Sequence, residues 1–98
     1  MAQQAREVRH GAELIHVGFG NYIALNRVVA IVTPGSAPIQ RVVRDGKKQG
    51  TIIDITSGRR TKAAVFTDTG HIVLVAITPE AIAGRVRSAR ARKGQARD

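Results

Sequence analysis

The sequence predicts a small α+β domain in which a largely antiparallel sheet carries two helices. Three observations lead there. The chain has 98 residues, room for a single domain. Most of its apolar residues fall in short, β-branched runs punctuated by Gly, Pro and Asx turns, as strands do. Two other segments space their apolar residues three and four positions apart, as amphipathic helices do.

The elements follow in order. Residues 1–11 are polar and aperiodic and are expected to form a flexible arm. Residues 12–89 form the folded domain, and 90–98 form a basic, frayed tail. Ala12 to Val17 reads as a first strand. Gly18-Phe19-Gly20-Asn21 is a reversal, because Gly and Asn tolerate the positive φ that tight turns need. Tyr22 to Leu25 is too short to assign. Val28 to Val32 is an unbroken β-branched run, expected to be a buried strand.

After Thr33-Pro34-Gly35, Ser36 is placed to cap a helix, with Pro38 in the first turn where its missing N–H is harmless. Ile39, Val42 and Val43 make the stripe, and Gly50 ends the helix. Thr51 to Ile55 and Thr61 to Phe66 are strands about the turn Thr56-Ser57-Gly58-Arg59-Arg60. Asp68-Thr69-Gly70 joins the latter strand to a strand from Ile72 to Ile77. Thr78 and Pro79 open a last helix with the stripe Ile82, Val86, Ala89, fading beyond about Arg90. The predicted order is β, β, α, β, β, β, α.

Composition narrows the function. Sixteen Lys and Arg against seven Asp and Glu leave a net charge of +9, which suits a polyanionic partner. Six basic residues and no acidic one lie between Arg85 and Arg97, so the tail is a sequence-independent anion binder or a solvated helix end. With no Cys, neither a disulfide nor a thiolate metal site can staple a thin core, so oligomerisation is expected. Met1 to Glu13 contains no apolar run of signal-peptide length, and no stretch approaches the roughly 20 apolar residues of a membrane span. The expected location is cytoplasmic, with no membrane partner.

Arg59 and Arg60, adjacent on a turn after Gly58, are the sharpest candidates: guanidinium groups bind phosphate bidentately and read guanine edges. The alternative is a solvated turn paired with Asp54 or Asp68. Arg27, at a strand start, is either solvated or a third member of that face. Arg41, Arg44, Lys47 and Lys48 form an outer helical face that is ordinarily just solvated, with Asp45 available to Arg41. The Gly18–Asn21 turn lacks the further residues of a nucleotide-binding loop. His10, His16 and His71 have no metal-ligand spacing, and no nucleophile, base and orienting group assemble. No enzyme, metal, cofactor or small-molecule substrate is expected. Only Phe19, Tyr22 and Phe66 are aromatic, too few for a base-stacking platform, which favours contact with duplex phosphates.

Ile15-His16-Val17-Gly18-Phe19-Gly20-Asn21, Asn26-Arg27, Pro34-Gly35-Ser36-Ala37-Pro38-Ile39, Ile53-Asp54 and Gly58-Arg59-Arg60-Thr61 occur in the order and spacing of a known family. From about Leu14 to Val86 the chain resembles the RemA (YlzA-like) family of bacterial extracellular-matrix regulators. The resemblance implies a nucleoid-associated, DNA-binding transcriptional regulator of biofilm matrix genes, built as a closed homo-oligomeric ring on duplex DNA. It places the DNA-binding residues on Arg27, Arg59 and Arg60, with Lys62 where the family commonly has Arg, and a functionally sensitive proline on Pro38. The competing readings are an RNA-binding protein using the same surface and a non-catalytic oligomeric scaffold.

Overall fold

The computed structural model describes residues 13–96, with side chains from 13 to 92; the predicted arm lies outside the described residues, as does the end of the predicted tail. Six strands and two helices follow one another: β1 (Leu14–His16), β2 (Tyr22–Ala24), a 3-10 turn (Leu25–Arg27), β3 (Val28–Val32), α1 (Ala37–Gln49), β4 (Ile52–Asp54), β5 (Ala63–Thr67), β6 (Ile72–Val75) and α2 (Pro79–Ala96). The α+β expectation holds, with one strand more than predicted. Tyr22–Ala24 pairs antiparallel with β1, Ile15 opposite Ile23, around the Gly18–Asn21 reversal.

The main sheet has four strands in the order β3-β5-β6-β4. Its β3–β5 and β5–β6 pairs are antiparallel, and β4 joins β6 in parallel. The two inner strands are apolar but for Thr67 at the end of β5, because both faces of their central residues are covered. Ala63, Val65, Val73 and Val75 face a cluster completed by Ile15, Val17 and Ile23 of the hairpin segment and by Ile82 of α2. Ala64, Ile72 and Leu74 face the other way, toward Val43 of α1 and Ile52. The alternation along β5 and β6 thus sorts one side chain to each layer.

Local chemistry sets the helix ends. Ser36 Oγ accepts from the Ile39 N–H at 3.4 Å, and Gly50, at φ 76°, closes α1 through its N–H to the Gly46 carbonyl. Thr78 Oγ1 accepts from the Ala81 N–H at 3.1 Å at the head of α2. Gly46 is buried where α1 meets β4, and a Cβ there would stand 2.8 Å from Ile52 Cδ1. Helix α2 continues to Ala96, past the point near Arg90 where its apolar stripe ends.

One expectation needs correcting. The run Val28–Val32 does form a strand, but it is the edge strand of the main sheet, and Val29 is 69% exposed. An apolar run signals two covered faces, and a single subunit leaves this strand only partly covered. Ile53, on the opposite edge strand β4, is 45% exposed.

Candidate functional site

The polar features of interest gather where two turns meet. In the first, Gly18, Phe19 and Gly20 all have positive φ (101°, 58° and 78°). Two glycines adopt such angles freely, whereas Phe carries a Cβ that makes them strained. Gly18 could not take a side chain without strain either, since its φ of 101° is left-handed, and a Cβ would in addition press on Ile77 Cγ2 at 3.2 Å. In the second turn, Ser57 (φ 55°) and Gly58 (φ 78°) repeat the pattern just before Arg59. Asn21 locks the two together: its Nδ2 donates to the Gly18 carbonyl at 3.1 Å and to the Ile55 carbonyl, 34 residues away, at 3.2 Å.

Asp54 and Thr56 brace the second turn. Asp54 Oδ1 accepts from the Thr56 N–H at 2.9 Å and from the Thr56 hydroxyl at 2.7 Å, and Thr56 is 3% exposed. The Thr56 carbonyl in turn accepts from the Arg59 N–H at 3.1 Å. These bonds hold the Asp54 carboxyl below its usual range: the Thr56 N–H first and its hydroxyl second, with Lys47 assisting and slight desolvation opposing. A lowered carboxyl pKa stabilises the fold above the unfolded value near pH 4, and that contribution disappears as pH falls through the folded value. Thr56→Val removes the hydroxyl but keeps the N–H. The Asp54 titration midpoint, followed by carboxyl NMR, is expected to rise part of the way toward normal; an unmoved midpoint would mean the hydroxyl has no hold on the charge.

On this frame Arg59 sits over the face of Phe19, its Cζ 3.7 Å from the ring centroid. Phe19 is 48% exposed, so the stacked pair sits at the surface. Arg60 and Lys62 follow; their side chains border a shallow hollow of about 320 Å³ whose far wall is the loop Thr33, Pro34 and Gly35. The Lys62 N–H is tied to the Val75 carbonyl at 2.9 Å. Neither Asp54 nor Asp68 pairs with Arg59 or Arg60: among the described residues the only ion pair within 4.0 Å joins Arg27 to Asp68. Asp45 therefore does not close on Arg41 either.

Arg27 is not brought to Arg59 and Arg60. Its Nε reaches both Asp68 oxygens at 3.0 Å, at the end of β5 where Val28 pairs with Thr67. Arg59 and Arg60 precede the other end of that strand, Ala63, so the strand separates them from Arg27. Pro38 is exposed in the first turn of α1, as expected of a helix start. Arg85, counted by sequence with the basic tail, is instead an internal tie: it donates to the His16 carbonyl at 2.8 Å and contacts His16 Nδ1 at 3.1 Å, fastening α2 to β1. Among the described residues no three His, Asp or Glu side chains converge on a metal-sized site, and no helix is long and apolar enough to cross a membrane.

Sequence reasoning missed Phe19 and Asn21 as parts of the site. Their signal was the Gly-Phe-Gly-Asn turn itself, in which a bulky residue sits between two glycines.

Fold and site together define a small α+β protein that presents a braced cationic turn at its surface. The chain belongs to the RemA-like family: the family model described as extracellular matrix regulatory protein A-like matches residues 14–86. It is 55% identical over 78 residues to a protein of Dehalococcoides mccartyi, covering 80% of this chain and 81% of that one. A protein of Alkaliphilus oremlandii is 51% identical over 78 residues (80% and 84%), and one of Synechococcus elongatus 49% identical over 77 residues (79% and 88%). All three are named as regulatory proteins.

Proposed function

We propose that this protein is a non-enzymatic transcriptional regulator that binds duplex DNA through Arg59, Arg60 and Lys62, assembles as a closed ring in the cytoplasm, and acts on extracellular-matrix genes. The observation that carries the reading is the braced turn: three exposed basic residues, none in an ion pair, on a backbone held in place by Asn21 and the Asp54–Thr56 bonds. An Arg stacked on an aromatic ring keeps its in-plane N–H groups free to donate to phosphate or to a guanine edge. The regulatory family supports the genetic role. The uncovered edges β3 and β4, with Val29 and Ile53 exposed, support assembly, because an apolar strand edge is a surface for another chain. A head-to-tail contact that closes gives a ring. Arg27 enters this reading as a separate contact, and the basic end of α2 as affinity without sequence preference.

The test pairs mass with binding. Light scattering is expected to give a multiple of the 10.5 kDa subunit; a monomer mass would end the ring. Anisotropy titrations of a duplex DNA and of an RNA duplex of the same sequence, over a series of salt concentrations, are expected to favour DNA. The log K against log salt slope should reach several multiples of about −0.9. Tighter RNA binding would replace the DNA assignment, and a flat salt response would remove the phosphate mechanism.

A further inference from the structure

Helix α1 carries basic residues on two different flanks. Arg41 and Lys48 are exposed and, at i and i+7, project from the face opposite the apolar stripe. Gln40, Arg44 and Lys47, spaced i, i+4, i+7, lie on one flank beside the apolar stripe. That flank borders a second hollow of about 350 Å³, floored by Val43 and Leu74 and closed by Pro34 and Thr61. Pro34 and Thr61 also line the hollow edged by Arg60 and Lys62, so the two depressions adjoin across a shared wall. No acidic side chain lines either one. The nearby carboxylate, Asp54, accepts from Thr56 and stays charged within electrostatic reach of Lys47 but forms no ion pair with it, and Asp45 lies on the opposite flank of α1, toward Thr51 and His71.

We propose that the Gln40–Arg44–Lys47 flank of α1 is a second phosphate-contact line, continuous with the Arg59–Lys62 turn, so that the nucleic-acid backbone runs over the Pro34–Thr61 wall from turn to helix. The proposal rests on the DNA reading above and extends it to residues outside the turn. Seven residues of α-helix rise about 10 Å, and charges along one DNA strand recur about every 3.4 Å of axis, so the flank spans about three nucleotides. Gln40, at the N-terminal end of the line, donates one amide N–H to the Gly35 carbonyl at 3.3 Å and keeps the other for a phosphate without adding charge. Four cations, hollow linings without a carboxylate, and open, shallow apolar floors suit a ribose-phosphate chain better than an acidic protein surface that would need partners of its own.

The test compares two charge-matched double variants of the full chain, Arg44→Gln/Lys47→Gln and Arg41→Gln/Lys48→Gln, on a random duplex DNA across a salt series. The first is expected to make the slope shallower by about 1.8, which between 1 M and 0.1 M salt is a relative affinity loss of about 60-fold. The second, removing the same charge from the outward face, is expected to leave the slope within about 0.5 of the parent. Unchanged oligomer mass and far-UV CD in both confine the effect to binding. If the two variants weaken binding equally, the helix contributes only net charge and the contact line is overturned. If the first variant keeps the parental slope while Arg59→Ala loses binding, the contact line fails and the DNA reading stands. If the first variant dissociates the oligomer, the flank is a subunit contact instead. A parent that binds no duplex overturns both readings together.

Discussion

Arg59→Ala is expected to weaken duplex DNA binding by about 10- to 100-fold at each contact while leaving fold and oligomer mass unchanged. A hydrogen bond to a charged group is worth about 1.5–3 kcal/mol, and about 1.4 kcal/mol is tenfold in affinity. A ring that lays several subunits on one duplex multiplies the loss, because each subunit gives up the same contact. Arg60→Ala should act in the same direction. Stability should move by no more than about 1 kcal/mol, since the guanidinium is at the surface, in no ion pair, and loses only its exposed contact with Phe19. Arg59→Lys separates two modes: partial recovery means a bidentate fork, near-full recovery a point charge. Phe19→Ala should produce a smaller loss, about two- to fivefold, because an exposed cation–π contact is worth about 0.5–1 kcal/mol. Phe19→Tyr should restore it. A binding isotherm, a mass and a melting curve for each variant decide the matter. An Arg59→Ala protein that keeps its ring and binds normally would remove the site, and one that falls to monomers would favour the scaffold reading.

Ile82→Ala is expected to have the largest effect on stability. Ile82 is fully buried and is the α2 side chain set deepest in the cluster shared by the hairpin and the main sheet, with Val86 and Ala89 packed against the same cluster. Its truncation removes apolar contact and leaves a cavity, costing about 2–5 kcal/mol. For a domain of this size each kcal/mol lowers Tm by about 4–8 °C, so the melt should fall on the order of 10 to 40 °C. Ile82→Val, at about 0.5–1.5 kcal/mol, should be several-fold milder. Melting followed by CD at fixed protein concentration checks both, since assembly makes Tm concentration-dependent. A fall of under about 3 °C for the Ala variant would show that α2 is held mainly by Arg85 on His16 rather than by this side chain.

What was legible in the sequence was local chemistry. Ser36, Gly50 and Thr78 mark helix ends by capping rules that act within four residues, and the structure uses all three. The strands β5 and β6 were legible because covering both faces leaves an unbroken apolar run. The same signal misled at Val28–Val32, which was read as a buried strand but forms a sheet edge with Val29 exposed. Tyr22–Ala24 was illegible because three residues carry no period. Pairings across long separations were also out of reach. Arg59 meets Phe19 across 40 positions, Arg27 meets Asp68 across 41, and Arg85 meets His16 across 69. A cation in a sequence can be counted, but only the fold says whether it is engaged; Arg85 and Arg27 are, while Arg59 and Arg60 are in no ion pair.

The placement of Arg27 and of the Arg59–Arg60 pair beyond opposite ends of β5 sets a length scale. Five strand residues fix their anchor points at least about 13 Å apart, at roughly 3.3 Å per residue. A rigid strand, unlike a loop, holds that interval fixed. The interval is close to four base-pair steps of B-form rise, the spacing a duplex on both sites would have to match. Strand β5 is therefore a ruler as well as a core element. A residue inserted into it would lengthen the interval by one step and, by turning every later side chain to the other face, expel Val65 from the layer that now buries it completely.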